Sequence, residues 1–363
     1  MSIERQIRVE LGERSYPIRV GAGCSAEALY PLVRAKKVLL VADTHTAELF
    51  GEKYAGLLRQ APAEVTVSVF DAGEQSKNLA SVERICRDAV KAGLDRSSVF
   101  VALGGGVCGD MTGLAAALYM RGTRFIQIPT TLLAMVDSSV GGKTGVDLPE
   151  GKNLLGAFFQ PMSVLIDPEN LRSLPPRQLS NGFAEIVKTA MILDGELFDR
   201  LESSAADLYA LAENAPVSEV IARCCELKAE VVSGDEKESG RRAILNYGHT
   251  FGHALESATG YGTFEHGEAV AVGMCMAADL ALSEGLITDE EAARQEELLK
   301  AFHLPVTATG LGLTPSQLLE AMRHDKKSSG GRIRVVLPLR IGHADVFDNM
   351  DPARLAEALG GRI

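Results

Sequence analysis

The chain contains no tryptophan, and aromatic residues make up only 5% of its 363 residues. The chain also has fewer basic than acidic residues: 37 Lys and Arg against 48 Asp and Glu, which gives a formal net charge of −11. Proteins that bind the phosphates of nucleic acids normally carry a surplus of Lys and Arg. We therefore expect a partner other than nucleic acid.

Long hydrophobic runs and paired cysteines are absent as well. The longest apolar run lies near Ala269–Ala278 and ends at Asp279, far short of the roughly 20 residues that a membrane span needs. The chain does not open with the basic-then-apolar pattern of a signal peptide. Its six cysteines include no C-x-x-C pair, and Cys224 and Cys225 are adjacent. We therefore expect no membrane association, no disulfide framework and a cytoplasmic location.

The first half alternates short apolar runs with segments of helical periodicity. Continuous apolar runs of this length are typical of parallel strands that are buried on both faces. The runs are Val38–Ala42, Val65–Phe70, Val99–Leu103, Phe125–Ile128 and Val164–Ile166. Residues 3–9 and Tyr16–Val20 predict a hairpin around Gly12, and Ser81–Ala92 predicts a helix. This pattern predicts an α/β domain over residues 1–174 with a parallel, Rossmann-like sheet.

After Leu174-Pro175-Pro176 the pattern becomes helical. Five segments have helical periodicity: Phe183–Leu193, Val217–Val232, Gly248–Ser257, Glu268–Ser283 and Asp289–Phe302. A hairpin is expected at Ile333–Leu337 and a last helix from Asp351. We predict an all-α domain over residues 175–363, and a ligand cleft between the two unlike halves.

A glycine-rich segment, Gly104–Asp110, directly follows the strand that ends at Leu103. It matches G-x-G-x-x-G and precedes a helical run at Met111–Leu118. Glycines at this position let backbone N–H groups and a helix N-terminus approach a diphosphate. The usual acidic residue about 20 positions later is missing, so Asp43, at the end of an earlier strand, is a candidate for binding the ribose. A tight strand-to-helix turn without a ligand would have the same sequence.

The block Arg121–Asn153 is rich in Gly, Thr and Lys and follows another strand. Loops of this composition bind phosphates and sugar hydroxyls through amides and ammonium groups. The alternative is a glycine-rich surface loop with solvated lysines.

Two histidines, His249 and His253, are spaced i and i+4 on one predicted helix face, and His266 follows them. Glu185 lies in a separate helical segment, with Lys188 one turn later. Thr250 stands where a zincin H-E-x-x-H motif has its glutamate, so that metalloprotease class is disfavoured. A histidine pair is a candidate metal site, but it also occurs in a purely structural role.

Several cations stand out in the helical half of this acidic chain. Lys188, Lys228, Arg242 and either Lys326 or Lys327 could hold a phosphorylated, carboxylated substrate. Any one of them could equally be solvated surface.

Six segments together resemble the 3-dehydroquinate synthase family. They are GEQSKN (residues 73–78), GGGVCGDMTG (104–113), residues 121–153, FAEIVK (183–188), NYGHTFGHALE (246–256) and HGEAVAVGM (266–274). They occur in family order and, with the β-rich start and the helical end, cover nearly the whole chain. The resemblance implies a dehydroquinate synthase-like fold, with NAD bound by the α/β domain and a divalent metal, Zn²⁺ or Co²⁺, held by the helical domain.

The resemblance also implies the role of each residue. It makes Glu185, His249 and His266 the metal ligands, which is a donor set that catalytic zinc uses. The residues implied to contact NAD are Asp43, Asp71, Gly73, Glu74, Lys77, Gly105, Gly106, Val107, Gly109, Asp110, Thr130, Thr131, Asp137, Lys143 and Lys152. Those implied to face the substrate are Arg121, Asp137, Lys143, Asn153, Lys188, Lys228, Arg242, Asn246, His253 and Lys326. Within these sets Lys152, Asn153, His253, Lys188, Asp137 and Lys143 are the expected catalytic residues.

The implied activity is that of a lyase that converts 3-deoxy-D-arabino-heptulosonate 7-phosphate to 3-dehydroquinate and phosphate, on the shikimate route to aromatic amino acids. It proceeds by transient oxidation by NAD, phosphate elimination, re-reduction and an intramolecular aldol closure. The family also implies a homodimer.

Three alternatives stay open at this point. Related sugar-phosphate cyclases, including 2-deoxy-scyllo-inosose and 2-epi-5-epi-valiolone synthases, share the fold, metal and cofactor but take other sugars. A metal-dependent alcohol dehydrogenase is the second alternative, and a non-catalytic NAD-binding sensor is the third.

Overall fold

The computed structural model describes residues 5–21, 26–260, 262–325, 333–348 and 350–363. Contacts between Cα atoms divide it into two compact units, and the first division falls between Leu174 and Pro175. Lys228–Lys237 group with the first unit, although the sequence assigns them to one continuous second domain. The predicted assignment of cofactor and substrate to different domains stays a prediction.

The first unit is built on a seven-stranded sheet whose order is β1-β2-β9-β6-β5-β3-β4. Its strands are β1 (Arg5–Val9), β2 (Tyr16–Val20), β3 (Lys37–Asp43), β4 (Glu64–Phe70), β5 (Val99–Gly104), β6 (Arg124–Pro129) and β9 (Ser163–Ile166). Only the β1–β2 hairpin is antiparallel, and every other pair is parallel. The predicted α/β class is therefore confirmed.

Helices cover both faces of this sheet. They are α1 (Ala26–Val33), α2 (Thr44–Thr46), which continues through a π turn (Ala47–Gly51) into α3 (Glu52–Gln60), α4 (Leu79–Lys91) and α5 (Gly106–Leu118). Along β3, Leu39 and Val41 pack with the residues of α4 and α5, while Val38 and Leu40 pack with those of α1 and α3. Because successive strand residues point to opposite faces, a strand covered on both sides must be apolar throughout.

Two expectations for this unit are wrong. The run at Val65–Phe70 is not buried on both faces, because β4 is an edge strand and leaves Val67 39% and Val69 40% exposed. The segment within Arg121–Asn153 expected to be a loop contains a strand, β7 (Lys143–Leu148), which pairs antiparallel with β8 (Gly151–Phe158). Its glycines and lysines hide the strand pattern, because the buried middle of β7 consists of Thr144, Gly145 and Val146, of which Val146 alone is a large apolar residue.

The second unit is helical. Its helices are α6 (Pro176–Leu193), α7 (Gly195–Tyr209), the first part of α8 (Val217–Gly234), α9 (His249–Ala258), α10 (His266–Ser283), α11 (Asp289–Ala301), α12 (Pro315–Asp325) and α13 (Pro352–Gly360). The predicted late hairpin is present as β10 (Arg334–Arg340) and β11 (His343–Asp348). The apolar run at Ala269–Ala278 is the buried middle of α10. Among the described residues, no helix is both long and apolar enough to cross a membrane.

Candidate functional site

Three helices of the second unit bring a carboxylate and two imidazoles together. Glu185 lies in the middle of α6, and His249 and His266 are the first residues of α9 and α10. One ligand atom from each lies within 4.8 Å of the others. The three residues that the family resemblance predicts as metal ligands are therefore neighbours in the structure.

The beginnings of α9 and α10 position the two histidines. Gly248 has a φ of +76°, and this left-handed residue turns the chain into α9. A Cβ at Gly273 would lie only 2.1 Å from the carbonyl oxygen of Gly248, so α10 can approach this turn only where it lacks a side chain. A reciprocal capping box between Glu265 and Glu268 sets where α10 begins.

Both histidines direct Nε2 toward the glutamate. His249 Nε2 lies 3.7 Å and His266 Nε2 lies 3.8 Å from Glu185 Oε1. His249 Nδ1 lies 3.1 Å from the carbonyl oxygen of Tyr247, so this nitrogen donates and Nε2 keeps its lone pair. Burial, together with the positive charge of Lys188, lowers the pKa of His249 well below its usual range. The neutral imidazole is the form that binds a metal ion.

Glu185 is 2% exposed, and its Oε2 lies 2.5 Å from Nζ of the equally buried Lys188. Within the described part of the chain, neither Glu185 oxygen accepts a hydrogen bond. A buried carboxylate oxygen without a donor is costly. Together with the imidazoles of His249 and His266, Oε1 of Glu185 fits a divalent cation.

A second group shares His266. It consists of His253, Glu256 and His266, whose ligand atoms also lie within 4.8 Å of one another. His253 is exposed, one turn after His249 on α9, and belongs to this group rather than to the one around Glu185. Glu256 was missed in the sequence, although it lies seven residues after His249 and so on the same face of α9.

The glycine-rich segment of the first unit forms the turn between β5 and α5. Gly105 precedes α5, and Gly106, Val107, Gly109 and Asp110 lie in its first turns. The N–H groups at the start of a helix have no partner within it, so they are available to an anion. Thr130 and Thr131 follow the adjacent strand β6, and Thr130 N–H donates to the carbonyl oxygen of Gly104.

Asp43 ends β3 at the same edge of the sheet. Its Oδ1 accepts from Thr46 N–H at 2.9 Å, and its Oδ2 accepts from Thr46 Oγ1 at 2.7 Å. A Cβ at Gly104 would lie 3.5 Å from Asp43 Oδ2. The predicted ribose-binding carboxylate and the predicted diphosphate-binding turn are therefore adjacent.

Lys77 forms the centre of a polar cluster in the same unit. Its Nζ lies 2.6 Å from Asn153 Oδ1, 2.7 Å from Asp110 Oδ2 and 3.9 Å from Glu74 Oε1. The nearby carboxylates, led by Asp110, outweigh burial and raise the pKa of Lys77. Asp71 and Gly73 lie in the segment between β4 and this cluster.

A second buried ammonium belongs to the first unit. Lys228 Nζ donates to Asp137 Oδ1 at 2.6 Å and to the carbonyl oxygen of Asp137 at 2.8 Å. Lys143 begins β7 and is exposed, and Lys152 lies half-buried in β8.

Arg121 lies in an exposed turn and lines a shallow surface pocket with Asp95, Arg96, Ser97 and Met120. The structure thus groups Arg121 with these residues rather than with Asp137 and Lys228.

Two further predicted substrate residues, Arg242 and Asn246, belong to the second unit. Arg242 is buried, and Asn246 Nδ2 donates to Glu238 Oε1 at 2.6 Å. Lys326 lies outside the described residues.

Two family descriptions match the chain in succession. They are 3-dehydroquinate synthase N-terminal, over residues 67–181, and 3-dehydroquinate synthase C-terminal, over residues 182–328. A relative from Picosynechococcus sp. named 3-dehydroquinate synthase is 48% identical over 356 residues, which are 97% of each chain. A relative of the same name from Shewanella sp. is 47% identical over 98% of this chain and 99% of its own.

Solved structures with the same fold include two other cyclases. A 2-epi-5-epi-valiolone synthase from Streptomyces hygroscopicus subsp. jinggangensis, with NAD⁺ and Zn²⁺ bound, superposes with a TM-score of 0.89 at 33% identity, over 97% of this chain and 98% of its own. A 2-deoxy-scyllo-inosose synthase complexed with carbaglucose-6-phosphate, NAD⁺ and Co²⁺ has a TM-score of 0.88 at 26% identity, over 99% of this chain and all of its own.

Proposed function

Because the chain belongs to the 3-dehydroquinate synthase family, we propose that it converts 3-deoxy-D-arabino-heptulosonate 7-phosphate to 3-dehydroquinate and phosphate. The reaction is a carbon–oxygen lyase reaction on the route to aromatic amino acids. The observation that carries this proposal is the group of Glu185, His249 and His266, with ligand atoms within 4.8 Å of one another.

Glu185, His249 and His266 would hold a divalent ion, Zn²⁺ or Co²⁺. A carboxylate with two imidazoles leaves coordination positions open for a substrate. When bound, the ion supplies polarisation of a substrate hydroxyl. Lys188 holds Glu185 Oε2 in an ion pair and so leaves Oε1 for the ion. The same ammonium adds positive charge beside a group that would bind an anionic substrate.

The first unit would hold NAD at the carboxyl ends of β3, β5 and β6. The N–H groups of Gly106 and Val107 fit a diphosphate, and the carboxylate of Asp43 fits a ribose hydroxyl. When bound, NAD supplies a hydride acceptor that returns the hydride within the same turnover, so no NADH accumulates.

Buried cations support a substrate with both phosphate and carboxylate groups. Lys188, Lys228 and Arg242 are each less than a tenth exposed in a chain of net charge −11. Asp137 holds the ammonium of Lys228 through two acceptors, so its position is set before any ligand binds. An ordered cation loses little entropy on binding an anion, and we assign Lys228 to substrate binding on this ground. Arg242 is assigned with it because its guanidinium is buried.

Within the β7–β8 hairpin, Lys152 and Asn153 are assigned to the departing phosphate. Asn153 Oδ1 accepts from Lys77, and the Nδ2 group of the same side chain carries two N–H donors. Lys152 acts electrostatically on Glu74, which places its positive charge near the Lys77 cluster. These donors would bind phosphate oxygens and stabilise their charge as the bond breaks.

We also propose a homodimer in the cytoplasm. The homodimer is implied by the family resemblance. The described cysteines, Cys86, Cys108, Cys224, Cys225 and Cys275, are all free thiols, as expected for a reducing compartment. Light scattering of the purified protein tests the dimer, and a mass of one chain would contradict it.

The test of function is phosphate release from the heptulosonate phosphate in the presence of NAD and Zn²⁺ or Co²⁺, with NADH followed in parallel. We expect phosphate and the carbocycle to form together without net NADH. Steady accumulation of NADH would instead indicate a dehydrogenase. Phosphate release from a sugar phosphate without a carboxylate, and none from the heptulosonate, would indicate a related cyclase.

A further inference from the structure

Glu256 is a buried carboxylate that none of the roles above uses. It lies near the end of α9, and its side chain is 2% exposed. Its Oε2 lies 3.5 Å from Nδ1 of His266, while the other nitrogen of the same ring lies 3.8 Å from Glu185 Oε1. The imidazole of His266 is thus placed between two carboxylates, one on each ring nitrogen.

The two predicted histidine ligands have matching surroundings. In His249, Nδ1 faces the carbonyl oxygen of Tyr247 and Nε2 faces Glu185. In His266, Nδ1 faces Glu256 and Nε2 faces Glu185. An acceptor beside Nδ1 keeps the proton on that nitrogen and leaves the lone pair on Nε2, which is the form that a metal ion needs. The backbone provides this acceptor for His249, and a side chain provides it for His266.

The acceptor beside Nδ1 of His266 comes from a neighbouring helix. His266 begins α10, and the residues just before it lie in the turn that enters the helix. Glu256 reaches the ring from α9, which packs closely against α10. A carboxylate is also a stronger acceptor than a carbonyl, and it raises the basicity of the ring nitrogen that binds the metal.

We propose that Glu256 is a positioning residue that holds the proton of His266 on Nδ1 and turns Nε2 toward Glu185. The inference rests on the proposed metal site, and it assigns to Glu256 no direct bond to the metal ion. Without the carboxylate of Glu256, the ring of His266 would rotate or carry its proton on Nε2, and the affinity of the site for the ion would fall.

The experiment compares wild type with Glu256→Gln, which keeps the side-chain size and removes the charge. Zn²⁺ affinity is measured by competition with a chelator, and the tautomer of His266 by ¹⁵N NMR of the metal-free, histidine-labelled protein. Loss of such a carboxylate typically costs 10- to 100-fold in metal affinity, and we expect a loss in that range together with a shift of His266 toward the Nε2–H tautomer. Glu256→Asp retains the charge and should recover part of the affinity.

The control is Glu297→Gln. Glu297 lies on α11 of the same unit, its side chain is 72% exposed, and its carboxylate pairs with Lys300 at 2.8 Å. Its Zn²⁺ affinity should match that of wild type, because a surface ion pair contributes little.

Three results would overturn the proposal. The first is an unchanged affinity and an unchanged tautomer in Glu256→Gln. The second is a loss of equal size in Glu297→Gln. The third is a wild-type protein that binds two ions per chain and loses one in Glu256→Gln, because Glu256 would then be a ligand of a second site formed with His253 and His266. If wild type binds no metal, the proposed function fails, but the tautomer of the metal-free protein still tests the role of Glu256.

Discussion

Lys77 lies 2.7 Å from Asp110, measured from Nζ to Oδ2, and its side chain is 6% exposed. This ion pair connects the segment after β4 to the start of α5, where the diphosphate of NAD is proposed to bind. The Lys77 ammonium also donates to Asn153 in β8. One buried cation therefore orders three segments of the first unit.

Removal of Lys77 should destabilise the fold. Lys77→Met leaves Asp110 without its nearest cation, and breaking a buried pair from one side costs about 3 kcal/mol. Urea unfolding followed by circular dichroism measures this loss. Lys91→Met is the control, because the Lys91–Asp88 pair is on the surface and should be worth less than about 1 kcal/mol. Equal losses in the two variants would contradict the structural role of Lys77.

Removal of the metal should abolish activity reversibly. A chelator should inactivate the protein, and Zn²⁺ or Co²⁺ should restore it, since Glu185, His249 and His266 form the proposed site. His249→Ala should bind far less than one ion per chain, as measured by elemental analysis after dialysis. The exposed His343 serves as control, and His343→Ala should retain the ion. Full metal content and activity in His249→Ala would remove His249 from the ligand set.

Asp43→Ala should weaken NAD binding without changing metal content. Loss of one hydrogen bond from a ribose hydroxyl to a charged acceptor is worth about 1.5–3 kcal/mol, or about 10- to 100-fold in Kd, which titration calorimetry can resolve. Part of any effect could come from the Asp43 cap on Thr46. Thr46→Val removes only the hydroxyl side of that cap and should change the affinity much less. An unaltered affinity in Asp43→Ala would exclude the ribose role.

Lys152→Ala should lower turnover more than it lowers NAD or metal occupancy. One charge-assisted contact to the departing phosphate is worth roughly 1.5–3 kcal/mol, which is about one to two decades in rate. Lys300→Ala, at an exposed pair with Glu297, is the control. An analogue without the phosphate should bind wild type and Lys152→Ala with similar affinity. A large difference for that analogue would assign Lys152 to the sugar or the cofactor.

The thiol in the glycine-rich turn should be unreactive. Burial, and then the negative charge of Asp43, raises the pKa of Cys108 to about 12, and burial raises that of Cys275 to about 12. Since only the thiolate reacts, iodoacetamide at pH 8 should leave both unmodified in the folded protein. Peptide mass spectrometry measures the modification, with the half-buried Cys86 as the internal comparison. Rapid alkylation of Cys108 would contradict its enclosed position.

The strands of the central sheet were predictable from local pattern. The middles of β3 and β5 are apolar because both of their faces are covered, and that burial leaves a continuous run in the sequence. β6 follows the same pattern except at the buried Gln127. The edge strand β4 alternates valines with Thr66 and Ser68, and at the end of the sheet its Val67 and Val69 are exposed. The composition of a strand does not specify which neighbours it has. The β7–β8 hairpin was missed because the buried middle of β7, Thr144 to Val146, shows no apolar run in the sequence.

The sequence by itself determined the family, the α/β and helical halves, and the candidate ligands Glu185, His249 and His266. Spacing alone offered His249 and His253 as a candidate pair, because i and i+4 spacing is a local property of one helix, and the family resemblance replaced His253 with His266. The tertiary structure grouped His249 and His266 with Glu185 and placed His253 beside Glu256. That grouping depends on how closely α9 approaches α10 at Gly273, and on α6, which lies more than 50 residues earlier in the chain. Packing between distant segments decides which side chains meet, and no spacing within a single helix contains that information.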